Sequence, residues 1–319
     1  MKKRKILLSI FKKIVSIAAF FLVVSFICFI LIKIAPGDPV RNMLGGEAAG
    51  ITEEQLEQMR DDLGLNEPLL VQYGLWLERA VHLDFGTSYM TRKSVTEELA
   101  NSIVPTLVLT LASIIVMMLV SMPLGIMAAK KKDSWFDKAV NGFCMVFTAI
   151  PTFWLGLLCI LFFSVKLHWF PTMGSMTVKG LVLPSLTLGV NMAPQYIKLL
   201  RENLIDSMKK DFVTSARARG ISERRIFWHH IFRDSMIPVL TVFGVSLGSL
   251  LGGAVITETI FGFPGIGKLA IDALNNNDYT VLQGFLMLLG IMVFIINNVI
   301  ELLYRKINPA IALKEVDKR

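Results

Sequence analysis

The feature that most constrains this chain is a series of apolar runs, each about as long as a membrane is thick. A helix that crosses the hydrocarbon core of a bilayer needs about 20 mostly apolar residues. Because backbone polar groups cannot stay unpaired in lipid, each such run predicts a spanning α-helix. The 319-residue sequence holds six of them, at residues 14–34, 105–129, 139–165, 181–200, 236–257 and 281–303.

The composition favours an all-α integral membrane protein over a soluble one. Hydrophobic residues make up 54% of the chain and charged residues 18%, whereas a soluble domain carries about 25% charged residues. The net charge is +8, but in a membrane protein the placement of charges matters more than their sum. We therefore expect membrane lipid as a partner, and no nucleic acid.

Two of the runs have unusual features. The first follows the basic start MKKRK, as a signal peptide would. Its apolar stretch exceeds the usual 7–15 residues of a signal peptide, and no small-x-small cleavage site follows it cleanly, so we predict a retained span. The fourth run is interrupted by Pro184, Asn191 and Pro194, which a helix packed among neighbours tolerates.

The distribution of Lys and Arg predicts the orientation. Basic residues concentrate before residue 14, in 130–138, in 198–235 and after 304, whereas residues 36–104 hold twelve acidic residues against five basic ones. Basic loops stay in the cytoplasm. With six spans, both termini are therefore predicted to be cytoplasmic, in a multi-pass protein of the cell membrane.

These spans divide the chain into segments. We predict a cytoplasmic N-terminus (1–13), a first span (14–34), an external segment (35–104), a core of five spans (105–303) and a cytoplasmic tail (304–319). The external segment has helical patterning around Thr52–Leu63 and Gln72–Val81, and Asp84–Thr87 has the composition of a turn. We expect a small ordered cap there, with an acidity typical of a solvated face.

A polar loop, residues 204–235, connects the fourth and fifth spans; we call it the basic loop. Apolar residues at every fourth position predict a stripe on a helix over Leu204–Ala218. The stripe consists of Leu204, Met208, Phe212 and Ala216. Gly220 is a predicted left-handed stop and Ser222 a predicted N-cap of a second helix that runs to Pro238. The apolar stripe and the basic flank of this helix pair suit docking into another protein, although the positive-inside rule alone also makes a loop basic.

The cysteines and histidines predict neither a metal site nor a catalytic one. Cys28, Cys144 and Cys159 lie in apolar runs without metal-ligand spacing. The four His form no H-E-x-x-H motif or Cys/His cluster. An enzyme embedded in the membrane would need convergent catalytic groups. A proton- or sodium-coupled carrier usually has charged residues inside its spans, and few are present here.

The stretch GFPGIGKL, Gly262–Leu269, matches the phosphate-loop pattern G-x-x-x-x-G-K. A working phosphate loop continues with a Ser or Thr that binds Mg²⁺, whereas Leu269 stands here. No strand is predicted before it, and the predicted topology places it outside the cell, where ATP is scarce. We expect no nucleotide site. The stretch is interpreted either as an external turn or as a gate at the outer end of the fifth span.

Two features of the fifth span have both a structural and a functional interpretation. Glu258, at its outer end beside Phe261 and Phe263, belongs either to a translocation path or to the cap of an outer helix. A stripe of glycines allows close helix approach in lipid, either within this chain or against a second subunit. Its members are Gly244, Gly248 and Gly252.

Short motifs in a fixed order run through essentially the whole chain. In the basic loop, A-R-A-R-G is followed by a His and then a Pro eight residues later, at Ala216–Gly220, His230 and Pro238. The other motifs are PGDP (36–39), LGLNEPLLVQY ending at Tyr73, LDFGTSY (83–89), IPTFWLG (150–156), GGAVITETIFGFPGIG (252–267) and DYTVLQG (278–284). Together they resemble the first permease of the ABC importers for dipeptides, oligopeptides and nickel. Phe212 replaces a frequent Tyr of that family, and Asp234 replaces an Asn.

The resemblance implies a type I ABC importer permease fold, with six transmembrane helices and an external helical segment between helices 1 and 2. The chain would be a non-catalytic half-pore without a cofactor. Its partners would be a second homologous permease, two ATPase subunits that bind ATP and Mg²⁺, and an extracytoplasmic solute-binding protein. The residues that would couple to the ATPase are Phe212, Ala216, Arg217, Gly220, Arg224 and His230. Those expected at the translocation path or outer gate are Glu258, Phe261, Pro264 and Gly265.

Two substrate classes stay open. The stretches YGLWLERAVHLDFGTSY (73–89) and FSVKLHWFPTMG (163–174) resemble nickel-type permeases, which favours nickel, free or chelated. Di- or oligopeptides are the alternative, because selectivity in this family resides mostly in the binding protein. His168 and Met173 would be soft metal contacts, although a lone His at a membrane interface is more often an ordinary interfacial residue.

Overall fold

The structure, a computed structural model, describes residues 15, 18–30, 33–34, 40, 52–62 and 64–307. The predicted N-terminal segment 1–13 and the PGDP motif lie outside the described residues. In chain order the helices are α1 (Ala18–Ile30), α2 (Glu53–Asp62), α3 (Leu69–Val81), α4 (Val95–Lys130), α5 (Trp135–Ala149), α6 (Thr152–Cys159), α7 (Val178–Met208), α8 (Asp211–Ala218), α9 (Glu223–Ile226), α10 (Phe232–Phe261), α11 (Ile266–Asn275) and α12 (Tyr279–Ile307). Two π-helical segments, Ile160–Lys166 and Phe227–Ile231, extend α6 and join α9 to α10.

The helices follow the order of the predicted spans. By length and hydropathy, α4 and Tyr279–Ile300 of α12 can each cross a membrane, and two bent helix pairs qualify if each counts as one span. The first pair is Trp135–Ala149 with Thr152–Lys166. The second is Glu223–Gly244 with Ser246–Phe261, so its bend lies within α10. The helix α7 has 31 residues but a more polar sequence, and α1 is a shorter apolar helix.

The third predicted span is not straight. Its two halves, α5 and α6 with the π-helical segment, meet at an angle of 100°. Pro151 disfavours a helical conformation in the residue before it, and Ile150 is extended, with ψ 120°. The Asn191 side chain of α7 donates a hydrogen bond to the Ile150 carbonyl (3.2 Å), and the Thr152 hydroxyl donates to the Asn191 amide oxygen (2.9 Å). The side chain that interrupts the fourth apolar run therefore stabilises the break in the third.

The described residues divide into two compact units. The larger lies within Val104–Lys268 and Ile295–Arg319 and is organised around α7, which packs against α5, α6 and α10. At Gly189 of α7 an added Cβ would lie 2.6 Å from the Ser113 carbonyl oxygen of α4. The fourth predicted span, the most interrupted in sequence, is thus the central helix of this unit.

A buried ion pair ties α5 to α7. Arg201 donates two hydrogen bonds to the Asp137 carboxylate, at 2.6 and 2.5 Å, and the Asp137 side chain is only 3% exposed. The backbone N–H of Asp133 donates to the same carboxylate. Such bidentate pairs fix orientation as well as supplying energy. The pair therefore holds the start of α5 against the α7 segment that leads into the basic loop.

The second unit lies within Met1–Ile103 and Leu269–Phe294. Its α3 packs on α1 through a cluster of Phe29, Trp76, Ala80 and Met287, and Tyr73 shares a hydrogen bond with Ser25 (2.7 Å). The helical patterning predicted before residue 82 matches α2 and α3. At the start of α2, Gln55 and Thr52 exchange hydrogen bonds between side chain and backbone, which is a capping box.

Two motifs distant in sequence meet in this unit. The Asp278 carboxylate of DYTVLQG is buried and accepts hydrogen bonds from the Ser88 hydroxyl (2.6 Å) and the Met90 N–H (3.3 Å). The Thr280 hydroxyl donates to the Thr87 carbonyl (2.8 Å). Burial raises the pKa of the neighbouring Tyr89 phenol to about 12, and the Asp278 charge adds to this shift. The segment 83–94 is therefore anchored to the start of α12.

We expect Asp278→Ala to loosen this anchor, because it leaves the Ser88 hydroxyl and the Met90 N–H without their acceptor, at a cost of about 1–3 kcal/mol. Limited trypsin digestion of the detergent-purified protein should then cleave at Arg92 and Lys93 about ten-fold faster. Asp62→Ala, at an exposed acid of α2, is the matched control and should leave the rate unchanged. Equal rates for the two variants would show that Asp278 is not the anchor.

Candidate functional site

The basic loop is a helical hairpin with one change from the sequence prediction. Gly220 lies between α8 and α9 with φ +72°, as the predicted left-handed stop requires. The single helix predicted over Leu204–Ala218 is wrong, because α7 ends at Met208 and α8 starts anew at Asp211. Ser222 is the N-cap of α9 by position, but its side chain makes no capping hydrogen bond.

The apolar side of the basic loop packs within this chain. Val213 and Ala216 of α8 are buried in one cluster with Leu204, Ile226 and Ile231. Phe212 and Met208 lie against the same cluster. Of the stripe expected to dock on a partner, Leu204 and Ala216 are therefore turned into this chain's own core, whereas Phe212 is only partly buried. The helix continues through Pro238, which lies inside α10.

The opposite side of the loop is exposed and basic. Its exposed cationic side chains are Arg217, Arg219, Arg224, Arg225 and Arg233. Arg217 pairs with Glu223 at 2.6 Å, but both side chains are largely solvated, and such pairs contribute little to stability. Gly220 stands between these arginines with no atom within 4 Å of the position a Cβ would take. This face can therefore accept a partner.

The base of the hairpin is fixed at both ends. Asp234 of α10 accepts hydrogen bonds from Ser207 of α7 (2.5 Å) and from Lys210 (2.7 Å). The Ser235 hydroxyl donates to the Asn203 carbonyl of α7 at 3.1 Å. The residue that departs from the resembled family's Asn thus has a defined role, since it connects α7 to α10 where the hairpin begins.

A concavity lies beside this base. Its volume is about 360 Å³, and it is lined by Phe212, His229, His230, Arg233, Asp234 and Ile237. Two of the residues predicted for ATPase coupling, Phe212 and His230, therefore lie in one depression. Lys130, the last residue of α4, lies over the Phe227 ring at 4.0 Å, which connects a third helix to the hairpin.

The glycine-rich loop, residues 262–267, encloses the Glu258 carboxylate. Glu258 is fully buried. It accepts hydrogen bonds from the N–H groups of Gly267 (2.8 Å) and Lys268 (3.2 Å) and from the Thr106 hydroxyl (2.6 Å). Thr106 in turn accepts from the Ile266 N–H at 2.9 Å. The acid thus caps the first turn of α11, which favours negative charge, in agreement with the capping interpretation of Glu258.

Gly265 and Gly267 leave no room for a side chain beside the Glu258 carboxylate and the α10 backbone. A Cβ on Gly265 would lie 2.2 Å from the Glu258 carboxyl carbon, and one on Gly267 would lie 2.5 Å from the Val255 Cα. Gly262 ends α10 in the left-handed conformation, φ +58°. The phosphate-loop pattern is therefore a cradle for the chain's own carboxylate, which occupies the position that a phosphate would need.

The other residues predicted for an outer gate separate into two groups. Phe261 and Phe263 are buried, and Phe261 packs with Cys159 and Leu183. Pro264 is exposed. The loop therefore presents Pro264 outward, whereas Phe261, the last residue of α10 before the loop, packs against α6 and α7.

The glycine stripe on α10 is buried at Gly244 but faces no described atom closely at Gly248 and Gly252. Gly244 is buried, whereas a Cβ at Gly248 or Gly252 would meet no atom within 4 Å. The neighbouring Gly253, by contrast, faces Leu188 at 3.1 Å. The stripe at Gly248 and Gly252 is thus not used for packing within the described part of this chain.

His168 and Met173, the possible soft metal contacts, lie in the segment between α6 and α7. Met173 is 66% exposed, and its Cε lies 3.1 Å from the position that a Cβ on Gly262 would take. Across the described residues, no group of three or more His, Cys, Asp or Glu side chains is placed to hold a metal ion.

The sequence did not predict four of these contacts. They are made by Thr106, Gly267, Asp234 and the Asp137–Arg201 pair. Polar residues within or at the ends of apolar runs were the available signal, because such residues need a partner in the fold. Gly267 pairs with Glu258 nine residues away, but the other partners lie 24 to 160 residues away. A single sequence gives no means of pairing them.

Comparison with known proteins places the chain among transport proteins. The family model "Binding-protein-dependent transport system inner membrane component" matches residues 121–313. A second model, for the N-terminal part of such membrane components, matches residues 6–110. The two matches together leave only a short part of the chain uncovered.

Named relatives match along nearly the whole chain. The glutathione transport system permease proteins of Salmonella typhi and of Escherichia coli are each 36% identical over 305 residues, which is 96% of this chain and 99% of theirs. The inward-facing MetNI methionine ABC transporter has a similar fold, with a TM-score of 0.57 and 18% identity over 66% of this chain and 96% of that chain. An amino acid ABC transporter gives a TM-score of 0.51 at 16% identity, over 66% of this chain and 94% of that chain.

We expect Gly265→Ala to destabilise the protein by about 1–3 kcal/mol, because its Cβ would overlap the Glu258 carboxyl group. Thermal unfolding of the detergent-purified chain should move to lower temperature. Gly142→Ala is the matched control, since a Cβ at that helical position meets no atom within 4 Å, and it should be neutral or slightly stabilising. A Gly265→Ala protein that unfolds at the parent temperature would contradict the cradle.

Proposed function

The chain belongs to the family of binding-protein-dependent transport system inner membrane components, and we propose that it forms half of the translocation pathway of an importer for short peptides. It is an ABC importer permease with an all-α, type I fold. Such a subunit transports by movement and is normally not catalytic.

The observation that carries the proposal is the geometry of the basic loop. Its hairpin buries one face, exposes arginines on the other, and is hydrogen-bonded through Asp234 to both α7 and α10. A force applied to the exposed face by an ATPase would therefore move both helices together. We place the ATPase contact on Arg217, Gly220, Arg224 and the concavity with Phe212 and His230, while Ala216 supports the hairpin from inside.

ATP and Mg²⁺ are assigned to two partner ATPase subunits. In this chain the one stretch with a phosphate-loop pattern is filled by Glu258. The proposed orientation places the basic loop and both termini in the cytoplasm, in accord with the positive-inside rule. The glycine-rich loop and the segment 35–104 then face the solute-binding protein, with Pro264 exposed toward it.

A second permease is proposed to pack on the glycine stripe. Gly248 and Gly252 face open space in this chain, and small residues allow close helix approach where lipid offers no hydrophobic driving force. This supports the interpretation that the stripe meets another subunit.

For the substrate we propose short peptides. Relatives that match nearly the full chain are named for glutathione transport, and glutathione is a small peptide-like thiol. The prediction of nickel rests on two sequence stretches, and among the described residues no group of three or more His, Cys, Asp or Glu side chains is placed to hold a metal ion. Nickel stays an alternative prediction that uptake can decide.

Uptake in cells that lack the chain, and in the same cells after its restoration, tests the proposal. We expect uptake of a labelled dipeptide or of labelled glutathione to depend on the chain, and uptake of radioactive nickel to be independent of it. Nickel uptake that follows the chain, with no peptide dependence, would replace the peptide assignment by the metal one.

We expect Gly220→Trp to abolish transport while leaving membrane insertion intact, because an indole would hold the ATPase away from the loop. Gly220→Asn is the matched control, since Asn tolerates the left-handed conformation at φ +72° without the bulk. Copurification of the ATPase subunits and peptide uptake should both be lost in the Trp variant and retained in the Asn variant. Undiminished uptake with Trp at this position would place the ATPase contact elsewhere.

A further inference from the structure

A polar cavity lies beside the bend of the third span. Its volume is about 360 Å³, within the range of about 300–1000 Å³ usual for small-molecule sites. Its walls come from α5, α6, α7 and α10, and they include Phe147, Thr148, Asn191, Gln195 and Leu250. The five lining residues from α7 lie between Leu188 and Gln195, near the middle of that helix, which runs from Val178 to Met208.

The break between α5 and α6 indicates what kind of surroundings this part of the chain has. Irregular backbone is tolerated there only where it is buried in protein or lines a water-filled cavity. The break at Ile150–Pro151 borders this cavity, with Thr152 in its wall. Asn191 and Thr152 already use their side-chain hydrogen bonds to stabilise the break. We therefore assign them the role of holding the cavity open, and not chiefly that of contacting a solute.

Two other polar side chains are available to a solute. Gln195 follows Asn191 by one helical turn, so both lie on the same side of α7. Its side chain is exposed, and among the described residues its amide has no hydrogen-bond partner. Thr148 is also exposed, and its hydroxyl donates to the Cys144 carbonyl (2.7 Å), which leaves the oxygen free to accept.

The uncharged side chains that line the cavity favour some classes of solute over others. Every lining residue is uncharged, and none is His, Cys, Asp or Glu. A divalent transition metal prefers imidazole, thiolate or carboxylate ligands. An amide and a hydroxyl set among Phe, Leu and Met side chains instead match peptide bonds and the apolar side chains attached to them.

We propose that this cavity contacts the peptide backbone of the substrate during passage, with Gln195 as the principal polar contact and Thr148 as the second. The inference rests on the proposed function and makes it more specific, because it assigns recognition of an amide to this chain as well as to the binding protein. The cavity would form one wall of the path, and the second permease would supply the other.

The test is peptide uptake by the complete transporter in cells whose own copy of the chain is replaced by variants. Loss of one hydrogen bond should weaken the interaction about three- to ten-fold. We expect Gln195→Leu and Thr148→Val each to raise the peptide concentration needed for half-maximal uptake by that factor. Membrane levels and copurification of the ATPase subunits should stay at parent values.

The matched control is Thr241→Val. Thr241 is also an exposed helical Thr whose hydroxyl donates to the carbonyl four residues earlier, but it does not line the cavity. It should leave the half-maximal concentration unchanged. A merely structural role of Gln195 would lower the amount of chain in the membrane or the maximal rate instead.

Three results would overturn the inference, and they differ in whether the proposed function still stands. Chain-dependent peptide uptake that is unaffected by both cavity variants would refute the cavity contact and leave the proposed function standing. Chain-dependent nickel uptake that falls in Gln195→Leu would keep the site but refute its preference for amides. No chain-dependent peptide uptake in the parent would refute the proposed function together with this inference.

Discussion

A backbone N–H or C=O group that is buried away from water needs a hydrogen-bond partner, and this constraint explains the irregular parts of the structure. Where α5 gives way to α6, the freed Ile150 carbonyl receives the Asn191 amide. Where α10 ends and α11 begins, the first N–H groups of α11 receive the Glu258 carboxylate. In both places a polar residue that interrupts an apolar run serves as the partner of a broken helix. These residues are therefore requirements of the fold before they are elements of a site.

Buried polar contacts also fix both ends of the larger unit. At one end, Asp234 connects α7 and α10 below the basic loop, and Arg201 fixes α7 to α5 through Asp137. At the other end, the glycine-rich loop is fixed by Glu258 and by buried Phe263. The helix α7 runs between the two and carries the cavity near its middle. A displacement of the hairpin would therefore reach the cavity wall through a single helix.

The sequence correctly predicted elements whose signals are local. The apolar runs gave the order of the helices, Gly220 gave the turn of the hairpin, and helical periodicity gave α2 and α3. The motifs also identified the family, since their order along the chain is specific even where each is weak alone. Errors arose where a local signal was compatible with two arrangements. The stripe from Leu204 to Ala216 is one case, because helical spacing shows that residues share a face and does not show what the face meets.

The sequence by itself therefore determined the class of protein, the order of its apolar helices and the position of the basic loop along the chain, because these depend on hydropathy, charge and turn chemistry within short windows. Only the tertiary structure decided which polar residues pair. Glu258 with Thr106, Asn191 with Ile150 and Asp278 with Ser88 are each far apart in the chain. Their pairing follows from burial, since a polar group withdrawn from water must find a partner among whatever groups the packed helices bring within reach.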